Sequence, residues 1–214
     1  MLCASMDLRM TKMSSISSSI GRSLAFLVIV PMVLSLSACG INAIPTYDEA
    51  ASAAWSQVLN QYKRRADLVP NLVETVKGFA AQERTVLTEV VEARAKIAQM
   101  QVPKDILTNP DAFKAFEQNQ SALSGALSRL LVVVERYPEL KSNQNFLALQ
   151  SQLEGTENRI SVARRDYIKA VQRYNTELRT IPGRWWRSLL YSEAELKENF
   201  TAPESVEEVP KVQF

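Results

Sequence analysis

The chain has 214 residues, with 25 Lys and Arg against 23 Asp and Glu, a formal net charge of +2, 2 cysteines and no histidine. The missing histidine removes Ser-His and Cys-His catalysis, the Glu-x-x-His pattern of di-iron bundles and ordinary Cys/His zinc sites. A charge balance so close to zero supplies no bulk field to gather a polyanion, which argues against nucleic acid as a partner.

The N-terminus reads as an export signal. Arg9, Lys12 and Arg22 form a basic leader, and Ser23 to Leu36 (SLAFLVIVPMVLSL) is an apolar run that closes on small residues. The run is roughly 14 residues long, short of the ~20 that a spanning helix needs. A span remains the alternative only if the charge-free stretch is extended to Ile44 through Ser37, Cys39, Gly40 and Asn42. Leu36-Ser37-Ala38-Cys39 resembles a bacterial lipobox, in which small residues admit the peptidase and the cysteine thiol takes the diacylglycerol. Residues 1–38 are therefore expected to be a signal peptide and Cys39 the lipid attachment site, the covalent lipid being the only added group expected. Two acyl chains already suffice for stable anchoring. Loss of the leader removes three basic residues and one acidic one, bringing the mature chain near neutrality with a single cysteine. That leaves neither a disulfide framework nor a free thiol nucleophile.

After a short tether (residues 39–46), Thr46 and Glu49 have the spacing of a capping box. Apolar residues then recur in steps of four and three: Trp55, Leu59, Tyr62, Ala66, Val69, Val73, Val76, Ala80, Leu87, Val90 and Ile97. Glu83 and Arg94 interrupt this seam, which favours packing against partner helices over a strict two-stranded coil. Pro70 cannot sit in a helix interior without losing a hydrogen bond and crowding the Ala66 carbonyl, so this first segment, to about Gln99, is expected to kink or split there.

Asn109-Pro110-Asp111 predicts a restart: Asn caps, Pro fits the first helical position, and Asp favours the positive helix end. The second helix carries Phe116, Gln120, Leu123, Leu127, Leu130, Val134 and Tyr137 and stops at Pro138. The third, from Ser142 or Asn143, carries Phe146, Leu149, Leu153, Thr156, Ile160, Ala163, Tyr167, Val171, Tyr174 and Leu178 until Pro182-Gly183. Nothing between Tyr47 and Thr180 alternates with period two. The expected fold is all-α: three long helices in an antiparallel up-and-down bundle over residues 47–182.

Residues 183–214 follow as a tryptophan-containing segment and a polar tail, from which Val212 and Phe214 can dock back onto the bundle. Trp185 and Trp186, between Arg184 and Arg187, have the composition of an interfacial membrane anchor or a partner contact. In an up-down-up bundle the third helix ends far from the N-terminal anchor, which places the two tryptophans as a cap on the distal end of the core.

Two charged clusters stand out: RRADLVPNL (64–72), with Arg64, Arg65, Asp67 and Asn71, and EGTENRISVARRDY (154–167), with Glu157, Arg164, Arg165 and Asp166. Arg64 and Asp67 share a helix face, as do Asp67 and Asn71, while Arg65 points elsewhere. With the first and third helices parallel, both clusters fall at similar heights. The expectation is a polar interhelical layer, set against two solvated charge runs, in which Asp67 and Glu157 balance the arginines and fix register or present a partner-binding surface.

These same segments resemble the LemA family: AWSQVLNQYK, RRADLVPNLVETVKGFAAQERTVL, NFLALQSQLEGTENRISVARRDYIKAVQRYN and the terminal PKVQF. The resemblance covers nearly all of residues 47–214, with a looser match over 184–200. It implies a membrane-anchored helical bundle of the bacterial envelope with no established catalytic activity or cofactor. Many members carry an N-terminal transmembrane helix where this chain has LSAC. The chain is thus expected to be a non-catalytic scaffold or adaptor for an envelope protein, exported and held to the membrane by lipid. Gly40 in place of Asp after Cys39 favours an outer over an inner membrane where the cell has both. The alternatives are a self-associating structural protein and an anion- or metal-binding bundle; no catalytic residue, metal ligand or small-molecule substrate is identified.

Overall fold

The computed structural model describes residues 40–201. The leader, Cys39, Val212 and Phe214 lie outside the described residues. Within them are six helices and no strand: α1 (Ala43–Lys77), α2 (Arg84–Gln99), α3 (Pro110–Val134), α4 (Pro138–Lys141), α5 (Gln144–Arg179) and α6 (Gly183–Leu190).

The all-α class is as expected, but the three long helices are replaced by four passes of unequal length. The break falls at residues 78–83, while α1 runs through Pro70 without ending. Pro70 lies on the exposed side of α1, where water can hydrate the Ala66 carbonyl that lacks its amide donor. The true break is hard to see because Val76, Ala80 and Leu87 keep the helical spacing and Ala80 remains fully buried inside the turn. Nor does α1 start with a capping box. It begins at Ala43, and Thr46 Oγ1 donates to the Asn42 carbonyl at 2.7 Å from inside the helix. Ile44, on the expected tether, is buried against Tyr174 and Leu178 and draws the helix start inward. The Asn caps are present: Asn109 accepts from Ala112 N and Asn143 from Phe146 N, each at 3.1 Å.

The extra pass reverses the direction of the last long helix. Trp55, Tyr62 and Arg65 of α1 meet Phe113, Phe116 and Gln120 of α3 in ascending order, so these two helices run parallel. Along α5 the order is inverted: Ile44 packs with Leu178, Trp55 with Tyr167, and Arg65 with Glu157. Helix α1 is therefore antiparallel to α5, correcting the expected parallel arrangement. The C-terminus of α5 returns to the end of the bundle where α1 begins, its foot. The tryptophans do not cap the distal end: a Cβ placed on Gly40 would lie 3.2 Å from Pro182 and 3.5 Å from the Trp186 indole nitrogen.

Helix α2, at 16 residues, covers only the upper part of the two long helices of 35 and 36 residues. There Leu87, Val90 and Ala93 join Val69, Leu72, Leu123, Leu127, Leu130 and Leu153 in one aliphatic core. Lower down the core is aromatic. Trp55 packs against Phe113, Phe116, Tyr167 and Phe200 with centroid separations of 5.1–6.1 Å. This cluster is closed by Ile106 and Leu107 of the α2–α3 connection and by Phe200.

Phe200 reaches the cluster because, after a turn at residues 191–194, residues 195–200 form an extended strap along the bundle. Asn175 bonds both the amide and the carbonyl of Lys197 at 2.9 Å, Tyr167 donates its hydroxyl to the Glu198 carbonyl at 2.7 Å, and Glu198 N donates to the Leu107 carbonyl at 2.6 Å. Lys197 also pairs with Asp48 at 2.8 Å. The turn into α6, which precedes this segment, requires glycine at 183, where a Cβ would run into the Glu177 carbonyl oxygen. Removing the Phe200 ring opens a cavity in the aromatic cluster and frees the end of the strap. Phe200→Ala is expected to destabilise the chain by about 2 kcal/mol in urea unfolding followed by helical circular dichroism, less than the ~3–5 of a fully buried phenylalanine because Phe200 is only half-buried.

Candidate functional site

At the boundary between the aliphatic and aromatic cores, α1 places an arginine where its seam calls for an apolar residue. Val58, Tyr62, Arg65, Val69, Leu72 and Val76 follow one another in steps of four and three on the buried face. Arg65 is only 1% exposed. Its Nη1 donates to Ser124 Oγ at 2.6 Å and to Glu157 Oε1 at 2.9 Å. Its Nη2 donates to Gln120 Oε1 at 2.7 Å and to the Gln120 carbonyl at 3.1 Å. The guanidinium lies 5.0 Å from the centroid of the Tyr62 ring, and Nε is buried without a partner. One side chain thus ties α1 to both α3 and α5.

This geometry sorts the charged clusters. Arg64, Asp67 and Asn71 are exposed on α1, and Arg165 and Asp166 are exposed on α5. Arg65, expected to point elsewhere, is the inward arginine, and Glu157 faces it where Asp67 was expected to share that task. Choosing Ala66 for the seam misplaced the face by one residue. The polar partners Gln120 and Ser124 were missed, although Gln120 stands on the apolar seam of its helix, where an unexplained amide signals a buried partner. Arg164 stands apart from the Arg65 layer. It is half-buried, 3.7 Å from Glu117 and 4.1 Å from the centroid of Phe200 on the strap.

Above these groups lies an open groove of ≈ 680 Å³, with Tyr62, Arg65, Glu117, Gln120, Glu157 and Arg164 among its lining residues. Burial pushes the Glu117 carboxyl above its ordinary value, with Arg164 offsetting part of the effect. The Tyr62 phenol is raised by burial too, against the charges of Arg164 and Arg65. Both terminal nitrogens of Arg65 already have two acceptors each, so the floor of the groove has no free terminal donor for an anion. Among the described residues no group of three or more His, Cys, Asp or Glu side chains comes together to hold a metal ion. No helix among them is long and apolar enough to cross a membrane.

A LemA family model matches residues 54–214. Magnetosome proteins MamQ 2 and MamQ 1 of Paramagnetospirillum magneticum are each 27% identical to the chain over 166 residues, covering 70% of it and 60% of their own length. Magnetosome protein MamQ of Magnetospirillum gryphiswaldense is 26% identical over 157 residues, covering 66% of the chain and 58% of itself. The chain therefore spans about three-fifths of the length of the curated relatives it matches.

Breaking the Arg65–Glu157 pair leaves a buried cation without its counter-charge, which costs ~3–5 kcal/mol for a fully buried pair. The Glu157 side chain is 43% exposed, so solvent screens much of that charge. Glu157→Gln is accordingly expected to lower unfolding stability by about 1–2 kcal/mol. A double-mutant cycle with Arg65→Met is expected to show coupling, and additive effects would contradict it. Alkaline stability follows from the tyrosines. Burial, with Asp48 adding to it, pushes Tyr174 up to about 12 from the ordinary 10.0; burial also raises Tyr167 and Tyr62. The unfolded chain then loses its phenolic protons first. Stability should be full below pH 10 and fall as the pH rises through about 12, with Tyr174→Phe reducing the fall when phenolate absorbance and helicity are followed together.

Proposed function

The chain belongs to the LemA family, and from that premise we propose that it is a membrane-anchored envelope lipoprotein working without catalysis, as a helical scaffold or adaptor for a protein partner. The observation that carries this reading is the state of its buried cation. Arg65 has both terminal nitrogens bonded to the neighbouring helices, so the buried cation serves as a joint between them. In this reading the Arg65 layer sets the register of α1, α3 and α5, and the exposed Arg64, Asp67, Asn71, Arg165 and Asp166 are available to a partner.

The anchor in this proposal is Cys39, acylated after removal of residues 1–38, with the bundle on the exported side and an outer membrane favoured by Gly40. The apolar run and the Leu-Ser-Ala-Cys sequence support it. Relatives named magnetosome proteins support membership of a cellular structure. In cells given a palmitate analogue, the wild-type chain is expected to take up label and fractionate with membranes, while Cys39→Ser takes up none. An unlabelled wild type, or undiminished label on the variant, overturns the lipid anchor. Light scattering of the detergent-solubilised chain then separates an adaptor, expected to be monomeric, from a self-associating structural protein.

A further inference from the structure

At the foot of the bundle, the turn after α5 and helix α6 carry a cluster of outward apolar side chains. Ile181 is 64% exposed, Trp185 63%, Leu189 73% and Leu190 53%. All four fall within ten consecutive residues, and Trp185 and Leu189 are four apart on one face of α6. Elsewhere the exposed large apolar residues, such as Val91, Val132 and Val162, are well separated along the chain. A concentrated patch of this kind marks a binding surface, whereas single exposed residues do not.

The two adjacent tryptophans divide their roles. Trp186 turns inward and packs with Ile44, Tyr174 and Leu178. It holds α6 against the ends of the two longest helices. Trp185 faces out, with the exposed Arg184 next to it in sequence, whereas Arg187, two residues further along α6, is half-buried and lies toward Tyr174. An indole beside an exposed arginine suits the zone where acyl chains give way to headgroups, since the ring is apolar and its N–H is polar.

The position of the patch identifies what covers it. Gly40 lies against Pro182 and Trp186, so the described residues begin beside α6. The residue directly before Gly40 is Cys39, the lipid attachment site of the proposed anchor. Resting on the reading that acylated Cys39 holds the chain at a membrane, we propose that the outward face of α6 with Ile181 is a second membrane contact. Trp185, Leu189 and Leu190 enter the interface of the same bilayer, Arg184 meets anionic headgroups, and the bundle stands on its foot.

The test uses the full chain, extracted from membranes in detergent and reconstituted into phosphatidylethanolamine–phosphatidylglycerol vesicles with or without brominated acyl chains. Of the three tryptophans, Trp55 is buried in the aromatic core. Brominated lipid is expected to quench part of the wild-type emission; Trp185→Phe should lose most of that quenching, and Trp55→Phe should retain it. Leu189→Asp, a change at an exposed position, should weaken it with helicity unchanged. Equal emission in brominated and plain vesicles overturns the contact and leaves the face to a protein. Quenching that survives Trp185→Phe overturns the assignment of the outward ring. Mass analysis of Cys39 on the same preparation reads acylation separately, so a failed anchor and a failed contact give different results.

Discussion

A guanidinium 1% exposed between three helices is the constraint on which the rest of this bundle depends. In a poorly polarisable interior the charge is tolerable only if its donors are met, and here they are met by groups that no single helix possesses. Helix α3 supplies the Gln120 side chain and carbonyl together with Ser124, and α5 supplies the carboxylate of Glu157. The seams of valine, leucine and alanine above it repeat at helical intervals, so a slide of one turn, about 5.4 Å, would bring similar side chains back into contact. The same slide would separate Arg65 from all of its acceptors. The polar layer thus supplies the specificity that a repeating apolar seam lacks. Its unpartnered Nε is a remaining penalty of placing an arginine there.

Helical spacing made the fold class readable, and Asn109-Pro110-Asp111 marked a helix start because capping is local chemistry. The number of passes was not readable. Residues 78–83 contain no proline; Gly78 at the C-cap is their stop signal, and it was outweighed by the buried Ala80, which continues the seam across the turn. Miscounting passes by one inverted α5 and sent the tryptophans to the wrong end. Within the site, Glu157 was recognisable as a charge between core positions. The inward arginine was not, because Arg64, Arg65 and Ala66 are adjacent and a face shifted by one residue exchanges which of them turns inside. Gln120, buried on an otherwise apolar seam, held the corrective information.

The strap shows a different reason for illegibility. An extended segment pinned through its backbone leaves no periodic trace, since its contacts depend on what the bundle offers. Asn175, Tyr167 and Leu107 supply the acceptors and donors that hold residues 197 and 198. Arg164 covers the ring of Phe200 once the strap is in place. Because α2 is too short to flank the lower half of the long helices, the aromatic core there depends on this strap and on Ile106 and Leu107 for closure.

Four passes also determine what meets at each end of the molecule. An even number returns α5 to the start of α1, so Gly40, Pro182 and Trp186 converge at the foot. Arg65 lies 22 residues beyond Ala43, about 33 Å up α1 at 1.5 Å per residue. A bundle joined to a bilayer at a single residue would tilt and rotate about that point, leaving the groove around Arg65 at no fixed height. A second contact at α6, rigidly packed through Trp186 onto Ile44, Tyr174 and Leu178, removes that freedom. The short terminal helix and the buried arginine then act along the same axis. One fixes where the rod stands, and the other fixes how its helices align above that point.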